Sequence, residues 1–277
     1  MRLLKQLVPV ALVAFAGGTV VGVVQGNAFL TLILGVATAV LAVFVYGWAV
    51  RWSERRAPVE VAGKGAVPAV GRGLLIGIGM FAAVIVNLAF LGYYRVDGLG
   101  SVTGAAGLLG FMAAAAVTEE LLFRGVLFRI VEGWAGTWIA LVLTGLVFGL
   151  MHLTNEHANL WGAIAIAIEA GGMLAAAYAA TRTLWLPIGL HFGWNFAAAG
   201  IFSTEVSGNG ASQGLLHSVT SGPALLTGGD FGPEASPYAV VFGLALTVVF
   251  LWLARRRGNL VPMRRDARAD ATATLTR

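Results

Sequence analysis

The sequence predicts an all-α, polytopic integral membrane protein of about eight transmembrane helices, with both termini in the cytoplasm. Three observations carry this. Charged residues make up only 11% of the 277 positions and apolar ones 58%, against roughly 25% charged in a soluble domain. Apolar windows of spanning length recur along the whole chain. The basic residues also fall almost entirely on one side of the spans that those windows define. At this length about nine or ten spans of ~20 residues would fill the chain. The expectation is therefore a single transmembrane domain over residues 1–277.

In order, the apolar segments lie near residues 6–25, 28–50, 73–94, 104–131, 137–153, 159–181, 184–202 and 238–254. The first has a rival reading as a secretory signal, since Arg2 and Lys5 precede an apolar run ending in Ala14-Phe15-Ala16. The run continues to Val24, longer than a usual signal core, which favours an uncleaved span. Arg2 and Lys5 precede span one, and Arg51, Arg55, Arg56, Lys64 and Arg72 separate spans two and three. Arg182 separates spans six and seven, and Arg255, Arg256, Arg257, Arg264, Arg265, Arg268 and Arg277 follow span eight. These are fifteen of the eighteen basic residues. They place that side in the cytoplasm, with a basic tail over about 255–277 that anchors the last helix to anionic lipid headgroups. Such clustering records membrane orientation and speaks against a nucleic-acid partner. The stretch 203–237 carries acids but no Lys or Arg and is rich in Gly, Ser, Thr and Pro, as suits an extracytoplasmic loop.

The chain has no cysteine, which removes disulfides, thiolate metal sites and a cysteine nucleophile. Gly210-Ala211-Ser212-Gln213-Gly214 is formally G-x-S-x-G, but no strand precedes it and no helix follows, so the setting of a serine nucleophile is missing. Chemistry is therefore sought among the polar residues inside the spans, each costing roughly 2.5–3.5 kcal/mol at mid-membrane.

Span four contains Thr118-Glu119-Glu120-Leu121-Leu122-Phe123-Arg124. Glu120 and Arg124, four apart, can pair, whereas Glu119 points about 100° away and is left free. A plain structural ion-pair cluster is the competing reading. Span five ends Phe148-Gly149-Leu150-Met151-His152, with ring and imidazole on one face and Gly145 and Gly149 permitting close helix approach. Span seven runs Leu184-Trp185-Leu186-Pro187-Ile188-Gly189-Leu190-His191-Phe192-Gly193-Trp194-Asn195, with His191 and Asn195 four apart and Pro187 in the first turn. Counted from the cytoplasmic helix ends, Glu119 lies roughly 18 Å deep, His152 22 Å, His191 10 Å and Asn195 16 Å, so that they can converge. A carboxylate, two imidazoles and a carboxamide in one desolvated pocket suit hydrolysis: a base for water, donors for an oxyanion, and ligands for a metal such as Zn2+. Two His and a Glu form a catalytic zinc set, although the helical H-E-x-x-H arrangement is absent.

Glu119-Glu120-x-x-x-Arg124, Phe148-x-x-x-His152 and His191-x-x-x-Asn195, in this order on three apolar helices, resemble the CAAX protease and bacteriocin-processing family, which includes the eukaryotic Ras-converting enzyme. The likeness covers about residues 104–200, a catalytic core set at about 104–202. It implies an endopeptidase in the cell membrane acting on a membrane-associated protein or peptide, with membrane lipids as its other partner. By this resemblance the candidate catalytic residues are Glu119, Glu120, His152, His191 and Asn195, with Glu119 activating water and His152, His191 and Asn195 orienting it, binding a metal or stabilising the oxyanion. Arg124 and Phe148 support them, and Glu120 joins Arg124 in that role. Glu119, His152 and His191 would hold a metal if one is used; the family's chemistry has been viewed both with and without it. A non-catalytic immunity or scaffold protein and a proton-coupled transporter are the alternatives, the latter opposed by the lack of an internal repeat. Glu169 in span six is expected to pair with a nearby polar group, while His157 and His217 fall in loops and receive no role.

Overall fold

The computed structural model describes residues 1–210 and 213–263, and the chain is 76% helical. Eight helical rods follow the predicted order: α1 Arg2–Val23, α2 Ala28–Glu54, α3 Ala66–Phe90, α4 Val102–Ala135, α5 Thr137–Met151, α6 Leu160–Thr181, α7 Trp185–Phe196 and α8 Pro237–Arg256. Seven are long and apolar enough to span a membrane, α5 being counted with the 3-10 turn His152–Thr154 that follows it. The eighth, α7, reaches only Ile201 even with its terminal π-helical turn. It is a short central helix buried on nearly every side, so length and not polarity separates it from the others. Four starts carry side-chain caps at the first free N–H groups: Asn27 to Leu30 (3.1 Å), Ser101 to Gly104 (2.9 Å), Asn159 to Gly162 (2.8 Å) and Ser236 to Ala239 (3.2 Å).

The start of α3 departs furthest from the hydropathy reading. α3 begins at Ala66, seven residues before the expected 73, because Arg72 is an exposed residue on the helix and not its edge. It ends at Phe90, and Tyr94 opens a strand. That strand, β1 (Tyr94–Leu99), pairs antiparallel with β2 (Leu216–Thr220), a two-stranded ribbon outside the apolar windows with a bulge between Val96 and Gly98.

The ion pairs sort the ends of the bundle. Glu54 at the end of α2 accepts from Arg129 (2.9 Å), Arg56 (2.5 Å) and Gln6 (2.8 Å), and Arg56 also pairs with Glu60 at 2.6 Å. Arg129, expected inside the span, therefore belongs to this charged end. Glu132 takes Arg182 at 2.5 Å and the Thr137 hydroxyl at 2.6 Å, and Thr137 Oγ1 in turn accepts from the Val261 N–H at 2.8 Å. The start of α1, the ends of α2, α4, α6 and α8 and the start of α7 are thereby gathered at one basic end. The opposite end holds the α1–α2 turn, the β-ribbon, the His152–Asn159 turn and the 203–236 connection. Arg264, Arg265, Arg268 and Arg277 of the basic tail, and Ala211 and Ser212 of the G-x-S-x-G string, lie outside the described residues.

The site depends on how closely α7 approaches its neighbours. Gly73 and Gly77 of α3 face the α7 backbone, and Gly189 and Gly193 of α7 face that of α3: a Cβ on Gly193 would lie 2.5 Å from Leu74 O, and one on Gly77 2.7 Å from Trp194 N. Two interlocked small-xxx-small pairs let these backbones touch, as is usual where lipid supplies no hydrophobic drive between helices. Gly149 and Gly145 of α5 similarly meet α6 near Ala167 and Gly171.

Candidate active site

Three of the rods widen into π-helix beside the polar residues: α4 over Leu121–Phe128, α6 over Ala167–Gly172 and α7 beyond its end over Ala197–Ile201. Widening a turn shifts backbone hydrogen bonds and releases carbonyls, which inside a membrane must find other donors. Gly125 O accepts from Arg129 Nε (2.8 Å) and the Tyr46 hydroxyl (3.2 Å). Ala170 O and Gly171 O accept from Arg124 Nη2 at 3.0 and 3.3 Å. Arg124, only 1% exposed, thus ties the π-segment of α4 to that of α6.

Its other nitrogen, Nη1, donates to Glu120 Oε1 at 2.7 Å, the pairing expected from their spacing. The same oxygen lies 2.9 Å from His191 Nδ1. The Arg124 guanidinium also stacks over the Phe148 ring at 4.6 Å, and Phe148 sits edge-on to His191 at 6.1 Å. Glu120 is fully buried and stands behind the cavity. Counted in the catalytic group by resemblance, it meets His191 and does not line the cavity.

Glu119, His152, His191, Asn195 and Phe148 all line one cavity of about 650 Å³, within the roughly 300–1,000 Å³ of ordinary binding sites. Glu119 Oε2 has no hydrogen-bond partner among the described residues and lies 3.8 Å from His191 Nε2. A carboxylate only accepts, so His191 Nδ1 carries the proton given to Glu120, and Nε2 of the same ring faces Glu119. The 3.8 Å between Glu119 Oε2 and His191 Nε2 makes a place for a proton or a bridging water. His152 Nδ1 is 2.8 Å from Phe148 O, a pure acceptor. That fixes the tautomer and leaves Nε2 bare. Asn195, one turn beyond His191, contributes the amide.

The metal set fits less well. Among the described residues no three His, Asp or Glu side chains are gathered closely enough to hold a metal ion. Only Glu119 and His191 oppose each other, and His152 is not brought into a common ligand shell with them.

Several site residues had no mark in the sequence. Glu234, 1% exposed, accepts from Trp194 Nε1 at 2.7 Å and from the Ser207 N–H and hydroxyl at 2.5 and 2.8 Å. Asn155 donates to Ser207 O at 2.6 Å. The 203–236 connection is thereby fastened both to α7, between His191 and Asn195, and to the turn after His152. Burial pushes the Glu234 carboxyl above its usual range, although the hydrogen bonds from Ser207 and Trp194 pull the other way. Glu169 departs from expectation. It is fully buried and neither oxygen has a hydrogen-bond partner among the described residues. Its backbone lies against Gly243 of α8, and it borders a second, smaller cavity shared with Glu234, Trp194 and His152, about 10 Å³ and roughly the room of one water. His157 lies 3.2 Å from Glu205 at the surface and His217 lies on β2.

Residues 101–197 match the family model described as Rce1-like, type II CAAX prenyl endopeptidase. The match takes in every residue of the three motifs and leaves α1–α3 and α8 outside it. No curated protein and no solved structure matches the chain. Over residues 101–197, about a third of its length, the chain is therefore similar to the Rce1-like CAAX protease family, a likeness that supports a function of the intramembrane-protease kind.

Proposed function

We propose that the protein is an endopeptidase of the cell membrane that hydrolyses a peptide bond of a membrane-associated protein or peptide with water activated by Glu119. The observation that carries the reading is the unpartnered Glu119 Oε2 facing His191 Nε2 at 3.8 Å in a cavity also lined by His152 and Asn195. Water held between the two would lose a proton to Glu119 as its oxygen attacks the scissile carbonyl carbon. The Asn195 amide supports the oxyanion that forms. On collapse the C–N bond breaks, and the proton held by Glu119 passes to the leaving amine, yielding a carboxylate and an amine. Glu120 holds the tautomer of His191, and Phe148 O that of His152.

Glu119→Gln keeps shape and hydrogen-bonding capacity but not basicity, so turnover should fall by about 10²–10⁴-fold while expression and folding persist. Proteomics of membranes carrying the wild type or Glu119→Gln, searched for peptides whose new C-termini depend on that carboxylate, tests this and finds substrates together. The same new C-termini at the same abundance from the variant would overturn the proposal.

A further inference from the structure

The outer lining of the cavity belongs to the end of the bundle opposite the basic one, where Arg95 on β1, paired with Asp97, is the single basic residue among the described residues. The cavity's outer wall comes from Gln25 of the α1–α2 turn, Thr31 in the first turn of α2, Gly104 at the start of α4, Asn155 after α5, and Asn209 and Gln213 of the 203–236 connection. The Arg2, Arg56, Arg129 and Arg182 pairs all sit at the other end. Of the fourteen Lys and Arg among the described residues, all but Arg95 and Arg124 belong to that second end or to the segments leading from it, and positive charge stays in the cytoplasm. No Lys or Arg lines the cavity among the described residues, where the only titratable groups are Glu119, His152 and His191. The mouth presents neutral amides and hydroxyls, which suit an uncharged polypeptide backbone, and the walls below it are apolar at Leu108, Phe111 and Met112.

We infer that the site is loaded from the extracytoplasmic face, and that its substrate is an extended, uncharged segment of an exported or membrane-anchored polypeptide on that face. A C-terminal tail offered from the cytoplasm would meet the charged end of the bundle instead. The inference rests on the peptidase reading for its substrate, but the side on which the mouth lies is independent of it.

The chain has no cysteine, so Asn209→Cys, Gln213→Cys and Gly63→Cys each carry a single thiol, two at the mouth and one in the exposed α2–α3 connection. Intact cells are treated with a membrane-impermeant maleimide, before and after permeabilisation. The mouth cysteines should label in intact cells at least tenfold more than Gly63→Cys, which should label only after permeabilisation. The reverse pattern, or mouth cysteines that label in neither state, overturns the inference. A bulky impermeant maleimide on Gln213→Cys should also stop the cleavage that depends on Glu119. Cleavage that continues at full labelling refutes loading through this mouth and leaves hydrolysis by Glu119 standing. Extracytoplasmic labelling without any Glu119-dependent cleavage by the wild type refutes the hydrolytic reading and with it this substrate.

Discussion

Arg124→Leu tests the arrangement that orders the site. The guanidinium is 1% exposed and makes one bond to Glu120 and two to the freed carbonyls of Ala170 and Gly171. Its loss strands a buried carboxylate, which costs about 3–5 kcal/mol, and uncovers carbonyls at about 1–3 kcal/mol each. Partial relaxation of the π-segments brings the expected total near 4–5 kcal/mol. Glu120→Gln instead strands the guanidinium, for about 3 kcal/mol, while its amide oxygen still accepts from His191 Nδ1. The double variant has no stranded charge, though the carbonyls stay uncovered, so its loss should be about 3–4 kcal/mol and not the sum of the singles. The coupling of about 3–5 kcal/mol lies far above the few tenths expected of independent sites. The assay is unfolding of the purified protein in mixed micelles, followed by helicity as denaturing detergent is titrated. Additive single losses would refute the claim that Arg124 and Glu120 form one buried unit.

Two further outcomes follow from the packing of α7 and its tie to the loop. Gly193→Leu puts a side chain against Leu74 backbone atoms that a Cβ alone would already approach to 2.5 Å, costing about 1–3 kcal/mol of stability. By moving His191 and Asn195 it should lower kcat at least tenfold in a population that remains folded by limited proteolysis; unchanged turnover would mean that the α3–α7 contact does not position the site. Glu234, raised by burial, binds its proton more tightly folded than unfolded. Above the free value of about 4.3 stability therefore falls as pH rises through the folded value. In Glu234→Gln that fall should flatten, as read from melting temperatures in detergent between pH 4 and 8, and parallel wild-type and variant profiles would contradict it.

The eight rods were legible because apolar runs bounded by charge or by Asn and Ser caps are what a bilayer demands of a helix. Hydropathy failed only where another quantity decided. Arg72 is tolerated on the exposed face of α3, so a charge did not mark its start. The short α7 is enclosed by neighbours, so it need not match the bilayer thickness. The β1–β2 ribbon joins segments over a hundred residues apart, and no local window can register that pairing.

In the site, every i to i+4 relation held locally: Glu120 with Arg124, His152 with Phe148, and His191 with Asn195 on the wall of one cavity. Spacing could not show which partner each group takes across the bundle. Glu120 reaches His191, 71 residues away, and Glu234 reaches Trp194 across 40. The π-segments explain why those distant contacts exist. The widened turns of α4 and α6 carry the buried Arg124 and Glu169 and free carbonyls, and Arg124 binds Glu120 with one nitrogen and the α6 carbonyls with another. Glu120, neutralised on one side, can then hold the His191 proton on the other, which leaves Glu119 as the carboxylate facing water. The ion pair that first reads as the competing, purely structural account of span four is thus the reason its neighbour stays available for chemistry.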